Sequence, residues 1–248
     1  MGVTKKEKIV ASIEARVGSS RLPGKVLKEI IGKPMLELMV KRVKQAKNID
    51  DIVIATSTNP KDDSIEKLAK KLNIKCFRGS EEDVLDRVLR AVQENKGEHI
   101  VELWGDTPLI DPRIIDGVIN YYIQNDFDCV GGDKNYPWGM NLLVFPTYIL
   151  EEVSLITNDP VDRENVSTYI YEHPDKYKVS RCPCPKELNR PEIRLTVDEL
   201  PDFELVKIIF ENLQPKNQSF SMLDIIKFLD ANPDLKNINK NVKQKKVR

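Results

Sequence analysis

The sequence predicts an α/β protein built on a doubly wound, mainly parallel sheet, with a less regular carboxy-terminal half. Three observations predict it. Apolar runs without helical period recur about every 25 residues in the first half, and amphipathic stretches of 3.6-residue period separate them. Turn-forming residues fall between the two kinds of segment. Such alternation implies right-handed βαβ crossovers, which make neighbouring strands parallel and place helices on both faces.

Residues 8–15 (KIVASIEA) form the first strand. Pro34 opens the first helix, expected over 35–47, with Met35, Leu38, Met39, Arg42 and Val43 on helical spacing and proline where a missing N–H costs least. A strand at 52–57, a helix at 62–72 and a strand at 74–79 follow. Next come a helix at 83–94, a strand at 99–105 and a helix from Asp111-Pro112 to about residue 124. In the second half, strands are expected at 127–131, 142–145, 177–181 and 193–197, and helices at 162–172, 202–212 and 222–230. Ligands of such sheets bind beyond the carboxyl ends of the strands, so the loops after Ala15, Ser57, Phe77 and Leu103 should share one rim.

The chain of 248 residues is long enough for one substantial core, taken to span residues 1–235, with a basic tail at 236–248 expected to fray. Thirty-nine basic residues balance thirty-nine acidic ones, which argues against general nucleic-acid binding. The start lacks a leader pattern, Lys6 stands where a myristoylation signal needs Ser or Thr, and no run is long enough to span a membrane. The expected location is the cytoplasm, with no membrane partner. Cys76, Cys129, Cys182 and Cys184 lack the spacing of a disulfide framework or zinc site and are read as structural.

The segment Ala15-Arg16-Val17-Gly18-Ser19-Ser20-Arg21-Leu22-Pro23-Gly24-Lys25 carries the most chemistry. It follows a buried strand and holds three cations, two glycines and two serines. Backbone amides of such a turn can line an anion site, and guanidinium groups grip phosphate oxygens in pairs. A solvated basic turn has the same composition, so alone the segment specifies only an anion. It is neither a P-loop nor a dinucleotide fingerprint.

Asp106 follows the fourth strand in Gly105-Asp106-Thr107-Pro108, and Asp198 ends the expected strand in Arg194-Leu195-Thr196-Val197-Asp198. Facing one another, two carboxylates repel, and a divalent cation relieves that cost. One or two carboxylates with phosphate oxygens and water suit Mg²⁺. Each also has a plainer role open to it, Asp106 as a turn cap and Asp198 as the cap of the helix containing Pro201.

The runs ARVGSSRLPGKVLKEIIGKPMLE, ATSTNPKDDSIEKLAKKL, FRGSEEDVLDRV, GDTPLIDP and RLTVD resemble the cytidylyltransferase family of spore-coat polysaccharide synthesis, related to the synthetases of CMP-Kdo and CMP-sialate. The resemblance spans residues 8–235. It implies a nucleotide-diphospho-sugar transferase fold and a Mg²⁺-dependent enzyme joining a sugar acid, 3-deoxy-ulosonic or nonulosonic, to CTP, with release of pyrophosphate. It also implies that Ala15, Arg16, Gly18, Ser19, Arg21 and Lys25 hold the nucleotide, Gly79 and Ser80 lie near the base, and Asp106 and Asp198 bind Mg²⁺. Arg16, Lys25, Asp106 and Asp198 would serve catalysis. A homodimer formed through the later half, about residues 126–182, is implied as well.

The chain departs from that family's pattern at several positions. Glu14 stands where Gln is usual, and Glu102 and Trp104 where Arg and Thr are frequent. Trp138, Asn141 and Leu143 replace Arg, Asp and Glu of the expected sugar site, and Asn165 replaces His in R-E-H-V. Trp138, Asn141, Arg163 and Glu164 are the expected acceptor-binding residues, in a pocket less charged than usual. A nucleotide-sugar-dependent glycosyltransferase and a CTP-binding protein without chemistry remain alternatives. The first lacks a convincing D-x-D pair at a strand end, since Asp126 and Asp128 begin one.

Overall fold

The computed structural model describes residues 7–245, so Gly2, Lys6 and the last three tail residues lie outside it. The first half contains β1 (Ile9–Glu14), a small hairpin of β2 (Glu29–Ile30) and β3 (Lys33–Pro34), and α1 (Met35–Val43). It continues with β4 (Asp51–Ser57), α2 (Asp63–Lys71), β5 (Lys75–Gly79), α3 (Val84–Glu94), β6 (His99–Trp104) and α4 (Pro112–Gln124). The second half adds β7 (Cys129–Gly132), β8 (Leu143–Pro146), α5 (Thr147–Ile156), α6 (Pro160–Glu164) and α7 (Thr168–Glu172). It ends with β9 (Val179–Cys182), α8 (Leu200–Leu213) and α9 (Met222–Ala231).

Seven strands form one sheet in the order β5-β4-β1-β6-β8-β7-β9. β1 pairs in parallel with β4 and β6, β4 pairs in parallel with β5, and β7 in parallel with β9. Only β8 runs antiparallel, against β6 and β7. The carboxyl ends of β5, β4, β1 and β6 therefore share a rim, as the βαβ alternation requires.

Alternate residues of each strand feed two cores. Ile9, Ala11 and Ile13 face α1, α2, α4, α8 and α9, while Val10 and Ile100 face α3 and α5. Burial on both faces explains why these strands read as nearly continuous apolar runs. Arg42 of α1 joins early and late parts of the chain. Its guanidinium donates to the carbonyls of Ile110 (3.0 Å) and Phe220 (3.1 Å) and lies over the Phe220 ring.

Several expectations are corrected. The segment 193–197 is not a strand. Ile193, Leu195 and Val197 are buried in alternation, but only Arg194 forms a bridge, to Trp138. Both edges of β6 are already occupied by β1 and β8, so the segment crosses the rim, held by Trp138 N–H to Ile193 (2.9 Å) and Val197 N–H to Asp106 (2.8 Å). Gly139 permits this approach, since a Cβ there would sit 2.8 Å from the Leu195 carbonyl carbon.

The helix expected at 162–172 is split into α6 and α7. Asn165 leaves the helical region (φ −118°, ψ 64°), its side chain donates to the Val161 carbonyl, and Val166 turns into the core. The first helix ends at Val43 rather than near residue 47, because Asp116 captures the N–H groups of Lys47 and Asn48. Helix α5 and the hairpin lie outside the expected set. The tail does not fray at Lys236: Asn239 is buried, and residues 243–245 return to the rim.

Candidate active site

The loop after β1 is rooted by Asp62, a buried carboxylate that accepts from Val17 N–H (2.8 Å) and from the Ser57 hydroxyl. Its outer turn closes through Gly24 N–H to the Val17 carbonyl, 2.9 Å. Gly24 adopts φ 71°, a left-handed conformation that glycine takes without a Cβ penalty. The chain then enters a short 3₁₀ turn that points Lys25 across the rim.

The Lys25 ammonium donates to the Val197 carbonyl (2.6 Å) and Asp106 Oδ2 (3.0 Å), and reaches Asp198 Oδ1 at 3.4 Å. Arg21 approaches the same Asp198 oxygen at 2.8 Å, and Arg194 donates to Asp198 Oδ2 at 2.6 Å. Asp198 thus meets three cations, and both its oxygens are engaged. Behind it stands Asp202, fully buried, which accepts from Arg194 Nε (3.0 Å) and from the backbone N–H groups of Asp198 and Glu199. A buried carboxylate with four lone-pair sites is stable only when so satisfied.

These groups border a cleft of about 300 Å³, lined also by Ala15, Arg16, Ser19, Val84, Arg87, Trp104, Glu164 and Lys245. Arg16 lies 3.9 Å from Glu164. The widely separated loop cations and acids therefore converge, although Asp198 arrives on a crossing segment rather than on a strand.

A second acid pair lies at the floor. Glu14 on β1 sits opposite Trp104, and Glu102 on β6 opposite Ser12, so the carboxyls share a face of adjacent parallel strands. Glu14 Oε1 and Glu102 Oε2 are buried and have no hydrogen-bond donor among the described residues. Two acceptors in contact need a proton between them. Burial, then the neighbouring Glu102 charge, hold the Glu14 carboxyl well above the usual carboxylate range, opposed by Arg87. Burial pushes Glu102 up to about 7, opposed by hydrogen bonds with Ser167 and Glu14. Arg87 is itself buried, and its Nη1 donates to the Ser80 carbonyl at 2.6 Å.

The remaining expected site residues divide. Gly18 lies on the loop but does not border the cleft, and Gly79 and Ser80 lie behind Arg87 at the end of β5. Asn141 lines a smaller cavity of about 120 Å³ with Tyr171, Ser180 and Arg181. Trp104 borders both cavities. Trp138 instead faces a separate cavity of about 350 Å³ among Arg194, Leu205 and the tail. Arg163 is turned away, to Asp83 and the Ser154 carbonyl. The four expected acceptor residues are thus not brought together. Arg87, Arg194, Asp202 and Lys245 were not singled out from the sequence. Arg194 and Asp202 flank Asp198 in sequence, but residues 194–198 are not helical, so no local spacing rule reported these contacts.

Among known proteins, the cytidylyltransferase family profile matches residues 10–245. An uncharacterized protein of Methanocaldococcus jannaschii is 40% identical over 241 residues, covering 97% of this chain and 98% of the relative. The spore coat polysaccharide biosynthesis protein SpsF of Bacillus subtilis is 36% identical over 235 residues, 91% of this chain and 95% of SpsF. A cytidylyltransferase structure from Leptospira borgpetersenii superposes with TM-score 0.87 at 30% identity, over 97% of this chain and all of that one. The CTP complex of CMP:2-keto-3-deoxy-manno-octonic acid synthetase has the same fold, with TM-score 0.62 at 18% identity, over 84% of this chain and all of that one.

Proposed function

Since the chain belongs to the cytidylyltransferase family, we propose that it joins CTP to a sugar acid of 3-deoxy-ulosonic or nonulosonic type, releasing pyrophosphate and leaving a CMP-sugar. The observation that carries this reading is the Lys25 ammonium seated between Asp106 and Asp198, with Arg21 on the same carboxylate. Without substrate these groups neutralise one another. A triphosphate of about four negative charges competes for Arg21 and Lys25 and releases the acids.

The two acids fit Mg²⁺. Both are hard oxygen donors, and among the described residues no third acidic, histidine or cysteine side chain joins them at one point. Phosphate oxygens and water complete such a shell. Bound there, Mg²⁺ would offset charge on the α- and β-phosphate oxygens. Arg16, Arg21 and Lys25 would hold the phosphates in line with the attacking anomeric hydroxyl, whose oxygen bonds to the α-phosphorus as the bond to pyrophosphate breaks. Positioning and charge neutralisation account for most of catalysis in such transfers. Asp198 is poorly suited to take the hydroxyl proton, because Arg194 stays on its Oδ2 when Arg21 and Lys25 turn to the phosphates and the metal takes the other oxygen.

For the acceptor, the cavity of Asn141, Tyr171 and Arg181 adjoins the nucleotide cleft across Trp104. Arg181 supplies a cation for a sugar carboxylate there, beside the amide of Asn141. The reading places the enzyme in the cytoplasm. It is consistent with the described helices, none of which is long and apolar enough to cross a membrane. It also makes the protein a homodimer, which the exposed Tyr148, Leu155 and Ile156 of α5 support, since they lie within residues 126–182.

Pyrophosphate release is the test, with each nucleoside triphosphate in turn against sugar acids and sugar phosphates. Release with CTP and a sugar acid is expected. Turnover only with a preformed nucleotide sugar would indicate a glycosyltransferase. CTP binding without turnover on any acceptor would indicate a protein that kept the nucleotide loop alone.

A further inference from the structure

The segment Asn239–Lys245 returns to the rim instead of leaving the fold. Its anchor is Asn239, 5% exposed, whose side-chain amide donates to the Arg194 carbonyl (3.0 Å) and to Asp202 Oδ1 (2.8 Å). Val242 N–H closes a turn on the Asn239 carbonyl at 3.0 Å. Beyond that turn the segment meets both guanidinium groups that hold Asp198. Arg21 Nη1 donates to the Lys243 carbonyl (3.2 Å), and Arg194 Nη1 to Gln244 Oε1 (2.8 Å). Lys245 then borders the cleft beside Arg21 and Lys25.

This arrangement differs from a loose basic tail in two respects. A buried amide satisfied by two partners fixes where the segment starts, since leaving it buried without them is costly. The contacts also fall on the groups that change partners when an anion enters. An arginine shared among Asp198, Glu199 and a backbone carbonyl has one neutral partner, and phosphate oxygens outcompete that carbonyl for it.

We propose that residues 239–245 form a strap that completes the polyphosphate pocket, with Lys245 as a further cation for the outer phosphates of the triphosphate. The inference rests on the triphosphate reading of the cleft but not on turnover. Lys245 acts on the leaving pyrophosphate portion, the loop cations on all three phosphates. CMP lacks those outer phosphates, so on this proposal its binding does not depend on Lys245.

The experiment is calorimetry with inorganic tripolyphosphate, CTP and CMP on the full chain, on Lys245→Ala, on Lys245→Arg and on a chain ending at Val242. Lys245 is exposed and its removal leaves every buried contact in place, so that variant folds. Lys245→Ala is expected to weaken tripolyphosphate and CTP by about three- to tenfold, less at about 0.5 M salt, as for a solvent-accessible ionic contact. Lys245→Arg should restore most of the loss, and the truncation should exceed it because Lys243, Lys246 and Arg248 leave with Lys245. CMP affinity should stay within about twofold throughout.

Unchanged tripolyphosphate affinity in both Lys245→Ala and the truncation would overturn the strap. So would a parallel loss for CMP, which would mark a general packing role. Failure of the cytidylyltransferase reading would appear differently, as intact polyphosphate binding by the parent chain with no pyrophosphate release on any acceptor.

Discussion

Two pairs of acids meet at the end of β6, and their surroundings are opposite. Asp106 and Asp198 sit among Lys25, Arg21 and Arg194, more cations than carboxylates. Glu14 and Glu102, on the neighbouring strands β1 and β6, have the Arg87 guanidinium near them and are held toward the protonated form by burial. The first pair is matched by cations that line the same open cleft, and on the proposed reading a metal and phosphates would replace them. The second is isolated from such exchange by burial. Within one cleft, then, counter-ions rather than residue type decide which acids are available for chemistry.

The largest expected effect comes from removing charge in the first pair. Asp106→Asn should lower turnover by about a thousandfold while weakening CTP only moderately, because it spares the phosphate cations. Pyrophosphate release and calorimetry would measure the two effects separately. Mg²⁺-dependent turnover at the parent rate would remove Asp106 from the metal site.

The next effect is structural. Asp202→Ala should destabilise the fold by about 3–5 kcal/mol, since it removes the buried acceptor shared by Arg194 Nε and the N–H groups of Asp198 and Glu199. Denaturant titration would show it, and a change below about 1 kcal/mol would mean that the cations around Asp198 are held in another way.

The second pair gives an effect of opposite sign. A carboxyl whose folded value is raised above its unfolded one binds protons in the folded state that the unfolded state has lost. Its stabilisation is present below the ordinary value of 4.5 and fades as pH rises through about 7. Glu14→Gln supplies an amide donor in place of the shared proton. It should raise the melting temperature at about pH 8, by on the order of 2 kcal/mol in stability, and change little at about pH 4. An equal gain at both would show that the two carboxyls do not share a proton.

The smallest effect separates the acceptor residues. Asn141→Ala should raise the acceptor KM about tenfold with little change for CTP, as for a lost hydrogen bond to substrate. Trp138→Ala should leave both within about twofold, because Trp138 faces a different cavity. Matching effects of the two substitutions would return Trp138 to the acceptor site.

The first half of the fold was legible because its pattern is local. Apolar runs buried on both faces alternate with helices whose caps are written in the sequence, such as Asp83 before α3 and Asp111-Pro112 at α4. In the second half the decisive terms were not local. Residues 193–197 alternate as a strand does, yet the edges of β6 were already taken, which periodicity does not report. The split at Asn165 turned on a side chain competing with the backbone. At the site, the loop cations, Asp106 and Asp198 were readable from residue type and position. Arg87 and Lys245 were not, because one comes from a helix face that reads as amphipathic and the other from a tail whose composition suggests disorder. The Glu14–Glu102 contact depends on pairing between strands far apart in sequence, and only their unusual identities hinted at it.

Asp106 follows a strand held on both sides, whereas Asp198 belongs to a segment joined to its surroundings by one bridge and a few backbone bonds. The interval between these acids is consequently set by a joint, not by the fixed spacing of neighbouring strands. A change in that interval would strain the bond from Val197 N–H to the Asp106 carbonyl and the bridge to Trp138, but no rung of the seven-stranded sheet. Lengthening the mostly exposed connection at residues 183–192 would thus detune the chemistry well before it loosened the fold.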